Sequence, residues 1–240
     1  AHETGALESV GHKCLTLPTS NGKITAKQVD TLIQEHYSDA SSEHTVQPGI
    51  VYISFPTESG TLYSKQELTE LYTVCQNHNI PLFIDGARLG YGLVSKKNDV
   101  TFEDIANLCD VCYIGGTKVG ALFGECIVIL NDLYKKDFRY AIKQHGGMLA
   151  KGRMLGIQFE ELFKDNRYLT ISKHAIDMAD ILTEGFQSKG YHFYFPAETN
   201  QLFPIFENAK LEELSKEFAF TPWAKIDETH TAVRFVTSFA

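Results

Sequence analysis

Residues 81–88 read Pro81-Leu-Phe-Ile-Asp85-Gly86-Ala87-Arg88, and the fold can be worked out from this stretch. Its first four residues form a short apolar run, which predicts a buried strand that ends at Asp85. The two small residues that follow let the backbone approach a ligand closely. On this stretch alone two interpretations are equally good. Asp85 either binds a ligand or caps the next turn, with Arg88 as its surface partner.

Strands and helices alternate on both sides of this stretch. Other strands are predicted at residues 50–54, 111–114 and 125–130, and helices at 65–79, opened by the capping box Ser64–Glu67, and after Thr101. This alternation predicts an α/β fold, with a largely parallel sheet and helices on both faces. Ligands of such sheets bind outside the carboxyl ends of the strands.

The pattern of predicted helices and strands changes after Met148. Helices are predicted at residues 149–164 and 168–189, strands at 192–195, 202–206 and 232–236, and a further helix at 211–217. This pattern indicates a smaller α+β domain, so we divide the chain into a large domain, 1–165, and a small domain, 166–240. The chain begins inside a motif and stops at a strand, so we expect a fragment that lacks both termini of the full protein.

A second motif reads Tyr113-Ile-Gly-Gly-Thr117-Lys118-Val-Gly120. A glycine-rich approach lets a cofactor carbon reach the lysine amine, and a hydroxyl just before the lysine can bind phosphate. Neither common phosphate-loop pattern fits this motif. Alone it is best explained as a surface lysine in a glycine turn. Together with Asp85 it is typical of pyridoxal phosphate (PLP) enzymes, in which an aspartate keeps the pyridine nitrogen protonated.

With these motifs the chain resembles the low-specificity threonine aldolases, often grouped as β-eliminating lyases, within the fold type I PLP enzymes. The matching stretches run in the family's order through the whole chain. They are residues 2–6, 84–88, 115–118, 149–153, 199–201 and 233–237.

The resemblance implies a role for individual residues. Lys118 would be the Schiff-base lysine and Asp85 the partner of the pyridine nitrogen. Arg88 and Arg234 would bind the carboxylate of the amino acid. The other positions implied are Thr117, Lys151 and Arg153 for the cofactor and its phosphate, His2 as a catalytic residue, and Glu58 on the substrate side. The ring-stacking histidine and the phosphate loop of the family would lie upstream of this chain.

The implied reaction is cleavage of threonine, allo-threonine or a related β-hydroxy-α-amino acid to glycine and an aldehyde. His2, Glu58 and a bound water are the alternatives for the base that takes the hydroxyl proton. Another PLP reaction, such as β-elimination or transamination, stays an alternative, because fold alone does not decide chemistry. A truncated, non-catalytic protein is the alternative of another class.

Composition excludes several classes of partner. The net charge is −8, which argues against nucleic acid and anionic membranes, and no apolar run is long enough to span a bilayer. Five cysteines, including Cys109 and Cys112, favour reduced core thiols and a cytoplasmic location, without a metal site. We also expect a homo-oligomer, a dimer or tetramer, because the family's region around Lys151 and Arg153 lies near a subunit interface.

Overall fold

A computed structural model of the chain describes residues 4–240. The helices are α1 (Ala6–Ser9), α2 (Ala26–Ser38), α3 (Lys65–Asn77), α4 (Leu89–Leu93), α5 (Phe102–Asn107), α6 (Phe138–Gln144), α7 (Arg153–Phe163), α8 (Arg167–Ser188) and α9 (Asn208–Leu214). The strands are β1 (Val51–Ser54), β2 (Leu82–Gly86), β3 (Val111–Ile114), β4 (Cys126–Ile129), β5 (Gln201–Leu202), β6 (Ile205–Glu207), β7 (Thr221–Lys225) and β8 (His230–Val236). Short 3-10 helices lie at Ser42–His44, Thr117–Val119, Asp132–Tyr134 and Lys164–Asn166.

The first sheet has the order β1-β2-β3-β4. β1, β2 and β3 are parallel, and β4 runs antiparallel to β3. The predicted α/β fold with a largely parallel sheet is therefore confirmed. In register, Ser54 lies opposite Asp85, and Asp85 lies opposite Tyr113. The carboxyl ends of the parallel strands thus meet at one edge, as the sequence predicted.

Alternation along the strands separates the two faces of this sheet. Val51, Ile53, Leu82 and Ile84 point into the main core, where they meet the apolar sides of α2, α3 and α5. The opposite face carries Tyr52, Phe83, Asp85 and Tyr113 by register, and Tyr52 is exposed. We predicted helices on both faces, but the cores of the described residues lie on one face. On the face that bears Asp85, Tyr52 is exposed and Phe83, Asp85 and Tyr113 are half-buried.

A second core packs α8 against α4. Tyr168 is buried, donates a hydrogen bond to the carbonyl of Gly115 at 3.0 Å and accepts one from the Gly90 amide at 3.2 Å. One tyrosine therefore ties the segment after β3 to the helix after β2. Ser172, one turn further along α8, is also fully buried and bonds the Tyr168 carbonyl. The contact with α4 is close because position 90 is a glycine.

The second sheet is antiparallel and centres on β8, which pairs with β5, β6 and β7. It lies after the long helix α8, in the part of the chain predicted as the small domain. We keep the boundary between residues 165 and 166 as a proposal. It falls at a kink between α7 and α8, where Asp165 and Asn166 have φ values of 53° and 56°.

Several predicted elements differ from the structure in detail. Residues 192–195 contain only an isolated bridge from Phe193 to Pro204. The strand predicted at 202–206 is divided into β5 and β6, since Pro204 has no amide hydrogen to continue the ladder. The helix predicted from residue 149 begins at Arg153, and the helix predicted at 211–217 lies three residues earlier. α1, α2, α4, α6 and β7 were not predicted.

The glycine at position 90 gives a test of the α4–α8 contact. A Cβ on Gly90 would lie 2.2 Å from the Ser172 Oγ and 2.8 Å from the Tyr168 Cε1. Gly90→Ala should therefore lower the free energy of unfolding by about 1–3 kcal/mol, the usual effect of overpacking. Urea denaturation measures this change.

Gly185→Ala in α8 is the matched control. Nothing lies within 4 Å of a Cβ at Gly185, so this variant should be neutral or more stable by up to about 1 kcal/mol. Equal stability of the two variants would show that the α4–α8 contact is looser than described.

Candidate active site

Asp85 stands at the carboxyl end of β2 with both carboxylate oxygens engaged. One oxygen accepts from the Ala87 amide at 2.9 Å, and the other accepts from the Tyr52 hydroxyl. Tyr113, opposite Asp85 on β3, also bonds the carboxylate. Burial raises the pKa of the Tyr113 hydroxyl well above its usual range, and the hydrogen bond to Asp85 adds to this rise. Tyr113 therefore stays a protonated donor to the Asp85 carboxylate.

The ends of β2 and β3 are in direct backbone contact. The Gly115 amide donates to the Gly86 carbonyl at 2.8 Å. A Cβ on Gly86 would lie 2.2 Å from the Tyr113 carbonyl oxygen, and a Cβ on Gly115 would lie 2.3 Å from the Ala87 oxygen. Only glycine fits at either position. The segments that carry Asp85 and Lys118 therefore leave the sheet side by side.

Lys118 lies in the 3-10 helix that follows Gly115 and Gly116. Its carbonyl accepts a hydrogen bond from the Tyr91 hydroxyl, and the next residue, Val119, is fully buried. The side chain of Lys118 itself is exposed. The backbone at Lys118 is thus fixed in the second core, while its amine is accessible to a ligand.

Thr117 does not face an anion site in this structure. Its hydroxyl donates to the carboxylate of Glu125, which also accepts from the Gly116 amide. A phosphate would have to replace this carboxylate. The phosphate role of Thr117 stays a prediction, and Glu125 is a residue that the sequence reading missed. A carboxylate eight residues beyond Thr117 gives no signal by itself.

We call the space where Asp85 and Lys118 leave the sheet the crevice. Three charged side chains from distant parts of the chain meet beside it, near the ends of β1 and β2. The Nη1 of Arg88 lies 2.7 Å from the Oε1 of Glu58, and the Nη1 of Arg234 lies 3.8 Å from the Oε2 of the same carboxylate. The Arg88 side chain is only 11% exposed, and that of Glu58 is 50% exposed. The structure thus brings together the two arginines and the glutamate that the sequence placed at the substrate.

Arg234 is held from β8 with its hydrogen-bonding capacity only partly used. Its guanidinium lies over the ring of Trp223, 5.7 Å from the centroid, and Nη1 donates to the Gln201 Oε1 at 3.5 Å. The Nε of Arg234 is buried and has no hydrogen-bond partner in the structure. A buried donor without an acceptor is unfavourable, so an anionic ligand would satisfy it.

Gln201 joins Arg234 to the loop that carries Glu58. It is fully buried, and its Nε2 donates to the carbonyls of Thr57 and Glu58 at 3.3 and 3.4 Å. A Cβ on Gly60 would meet the Gln201 carbonyl oxygen at 2.7 Å. Gln201 lies in the matching stretch 199–201, but no role was predicted for it. The available signal was a glutamine directly before the apolar run that was predicted as a strand.

The remaining predicted residues lie further along the chain or outside the described part. Lys151 and Arg153 are exposed at the beginning of α7. α7 contacts the loop after Lys118 through Gln158, whose Oε1 accepts from the Leu122 amide at 2.7 Å. His2 lies outside the described residues. Within residues 4–240 no helix combines the length and apolarity needed to cross a membrane, and no cluster of His, Cys, Asp or Glu could hold a metal.

Comparison with known proteins agrees with this geometry. A family model described as beta-eliminating lyase matches residues 1–209. The low specificity L-threonine aldolase of Pseudomonas sp. (strain NCIMB 10558) is 31% identical over 218 residues, which are 88% of this chain and 61% of that protein. The yeast Saccharomyces cerevisiae protein of the same name is 24% identical over 182 residues, 75% of this chain and 46% of that one.

A solved structure of threonine aldolase from Leishmania major has a TM-score of 0.95 and 44% identity. The match covers 100% of this chain and 69% of that one. The resemblance seen in the sequence and the predicted fold class are therefore confirmed. The chain spans about three fifths of the length of the Pseudomonas relative.

Proposed function

The chain belongs to the β-eliminating lyase family, and from that premise we propose that it forms part of a PLP-dependent carbon–carbon lyase. The proposed substrates are L-threonine, L-allo-threonine and related β-hydroxy-α-amino acids, and the products are glycine and an aldehyde. The observation that carries this proposal is the convergence of Arg88 and Arg234 on one carboxylate beside the strand end of Asp85. The names of the relatives support the same reaction.

The residues at the crevice fit PLP. Asp85 offers a carboxylate oriented by the Ala87 amide, and the Lys118 side chain is exposed on the neighbouring segment. Bound there, PLP supplies an electron sink for the broken Cα–Cβ bond. In this proposal Lys118 holds the cofactor covalently, and Asp85 keeps its pyridine nitrogen protonated. Arg153, with Lys151 and Thr117, would contact its phosphate.

Arg88 and Arg234 would bind the carboxylate of the amino acid. Each guanidinium presents a planar set of donors that matches a carboxylate. The buried Nε of Arg234, which has no partner, is one donor that a substrate carboxylate would satisfy. Together the two guanidiniums would orient the α-carbon of the substrate relative to the crevice. They would also hold its β-hydroxyl toward the base. For that base, His2, Glu58 and a bound water stay alternatives.

Product analysis tests the proposed reaction. The PLP-loaded protein should convert threonine to equal amounts of glycine and acetaldehyde, which chromatography and an aldehyde assay measure. Pyruvate from serine or cysteine, without glycine from threonine, would instead show β-elimination. A keto acid would show transamination. No reaction with any of these substrates would favour a non-catalytic protein.

Asp85→Asn is the informative variant in that assay. An amide cannot keep a pyridine nitrogen protonated, so kcat should fall by several powers of ten, on the order of 4 kcal/mol or more of transition-state stabilisation. The cofactor should stay bound. Near-normal turnover in this variant would exclude the proposed role of Asp85.

Borohydride reduction tests the assignment of Lys118. Reduction of the loaded protein, followed by peptide mapping, should place the pyridoxyl group on the peptide that contains Lys118. Lys151→Arg is the matched control and should be labelled normally. A label on Lys143 or Lys151 would disprove the assignment.

We further propose that the protein works as a homo-oligomer, a dimer or tetramer, in the cytoplasm. Large apolar side chains are exposed on and around α6 and α7, namely Leu122, Leu133, Tyr140, Leu149 and Met154. Exposed apolar patches of this kind mark protein contacts. The five free cysteines support a reducing compartment.

Light scattering on the PLP-loaded protein should give the mass of a dimer or tetramer, and cell fractionation checks the location. A fully active monomer would contradict the oligomer. Recovery of the protein in a secreted or organelle fraction would contradict the location.

A further inference from the structure

Glu58 is an acidic side chain placed where the proposed substrate carboxylate would bind. Its two oxygens lie 2.7 Å from Arg88 and 3.8 Å from Arg234. A carboxylate from the protein therefore occupies the position between the two guanidiniums. The chemical group is the one that the arginines would take from an amino acid.

The contact is incomplete, and this makes it exchangeable. The Arg88 contact is a short, charge-assisted hydrogen bond, whereas the Arg234 contact at 3.8 Å is only an ion pair. Arg234 keeps a buried Nε without a partner. A free carboxylate that accepted hydrogen bonds from this Nε and from both guanidiniums would bind better than Glu58 does. A half-exposed ion pair is also weakened by solvent.

Only the side chain of Glu58 is free to move away. The loop backbone is fixed by Gln201, by the hydrogen bond from Thr199 to the Gly60 carbonyl at 2.9 Å, and by the contact of Thr57 with Thr61 at 2.7 Å. A cavity of about 190 Å³ lies beside Glu58 and is lined in part by Ser54 and Thr57. The carboxylate can thus turn into existing space without opening the loop.

We propose that Glu58 is a built-in competitor that fills the carboxylate subsite and determines which acids the protein admits. The proposal rests on the function proposed above. An amino acid displaces Glu58 because its amine provides a second attachment at the cofactor. A carboxylic acid that lacks the amine has no such attachment and must compete with Glu58 through its carboxylate alone. Glu58 thereby excludes simple carboxylates from the site.

Calorimetric titration of the PLP-loaded protein with 3-hydroxybutyrate tests this proposal. The probe has the carboxylate and β-hydroxyl of threonine but no amine, so it cannot react with the cofactor. Glu58→Gln and Glu58→Ala should each lower the Kd for the probe about tenfold, the change expected when a competing charge-assisted hydrogen bond is removed. Without Glu58, the positive charges of Arg88 and Arg234 have no carboxylate between them to neutralise them. An anion therefore binds there more favourably.

Glu161→Gln is the matched control, because the Glu161 side chain is 51% exposed and paired with Arg167. It removes one negative charge at the surface and should leave the Kd unchanged. The gain at Glu58 should disappear when Arg88→Ala is added, because Arg88 makes the charge-assisted hydrogen bond for which Glu58 and the probe compete.

An unchanged or weaker affinity in both Glu58 variants would overturn the proposal, and so would an equal gain in Glu161→Gln. A loss of kcat with an unchanged Kd would assign Glu58 to proton transfer alone. Failure of the proposed function is separately visible. A protein that takes up no PLP or leaves threonine intact fails on the reaction, whereas one that cleaves threonine without the gain in affinity fails only here.

Discussion

The backbone contact between the ends of β2 and β3 is the constraint on which the rest of the site depends. Gly86 and Gly115 allow the two segments to touch, with a hydrogen bond of 2.8 Å between them. Any side chain at either position would push the strand ends apart. Asp85 and Lys118 leave the sheet next to each other because of this contact, and Tyr168 fixes it from the side of α8.

The second sheet contributes the positive charge of Arg234 to the site. β8 carries Arg234, and Gln201 on β5 holds both this arginine and the loop with Glu58. The amide of Gln201 is oriented by its neighbours, because its oxygen accepts from a guanidinium and its nitrogen must therefore face the two carbonyls. The proposed carboxylate subsite thus draws on both sheets, and α8 lies between these sheets along the chain.

The sequence predicted what local pattern determines. Apolar runs located β1 to β4, and the predicted capping box at Ser64 is present in the structure. The helix predicted after Thr101 also begins with a capping box. A third box at Thr25 opens α2 and was a signal that could have been used. The order of strands in the second sheet, the division at Pro204 and the ion pairs of Glu58 depend on contacts between distant residues. No periodicity in the chain carries that information.

The same holds for the site. Asp85 and Lys118 stand in motifs that only together are typical of PLP enzymes, and the role expected for Arg88 came from the family resemblance. The residues that bond the site come from ordinary strand and loop positions. They are Tyr52 and Tyr113, which bond Asp85, Glu125, which bonds Thr117, and Gln201, which bonds Arg234. Their roles arise from register, since residue 113 lies opposite residue 85 only once β2 and β3 are paired. Register is a property of the sheet and cannot be read from one strand.

The distance along the chain between the parts of the carboxylate subsite has a consequence for folding. Glu58 and Gln201 are 143 residues apart, and Arg234 lies 33 residues further on, in the strand to which the other three strands of its sheet pair. Contacts between residues so far apart in the chain require the closure of a long loop, so we expect them to form late in folding. A chain whose last strand has not yet docked therefore has Arg88 and Glu58 but no second arginine. With the function proposed above, amino acids would bind and stabilise only chains in which β8 is paired, so ligand affinity would report that this strand has docked.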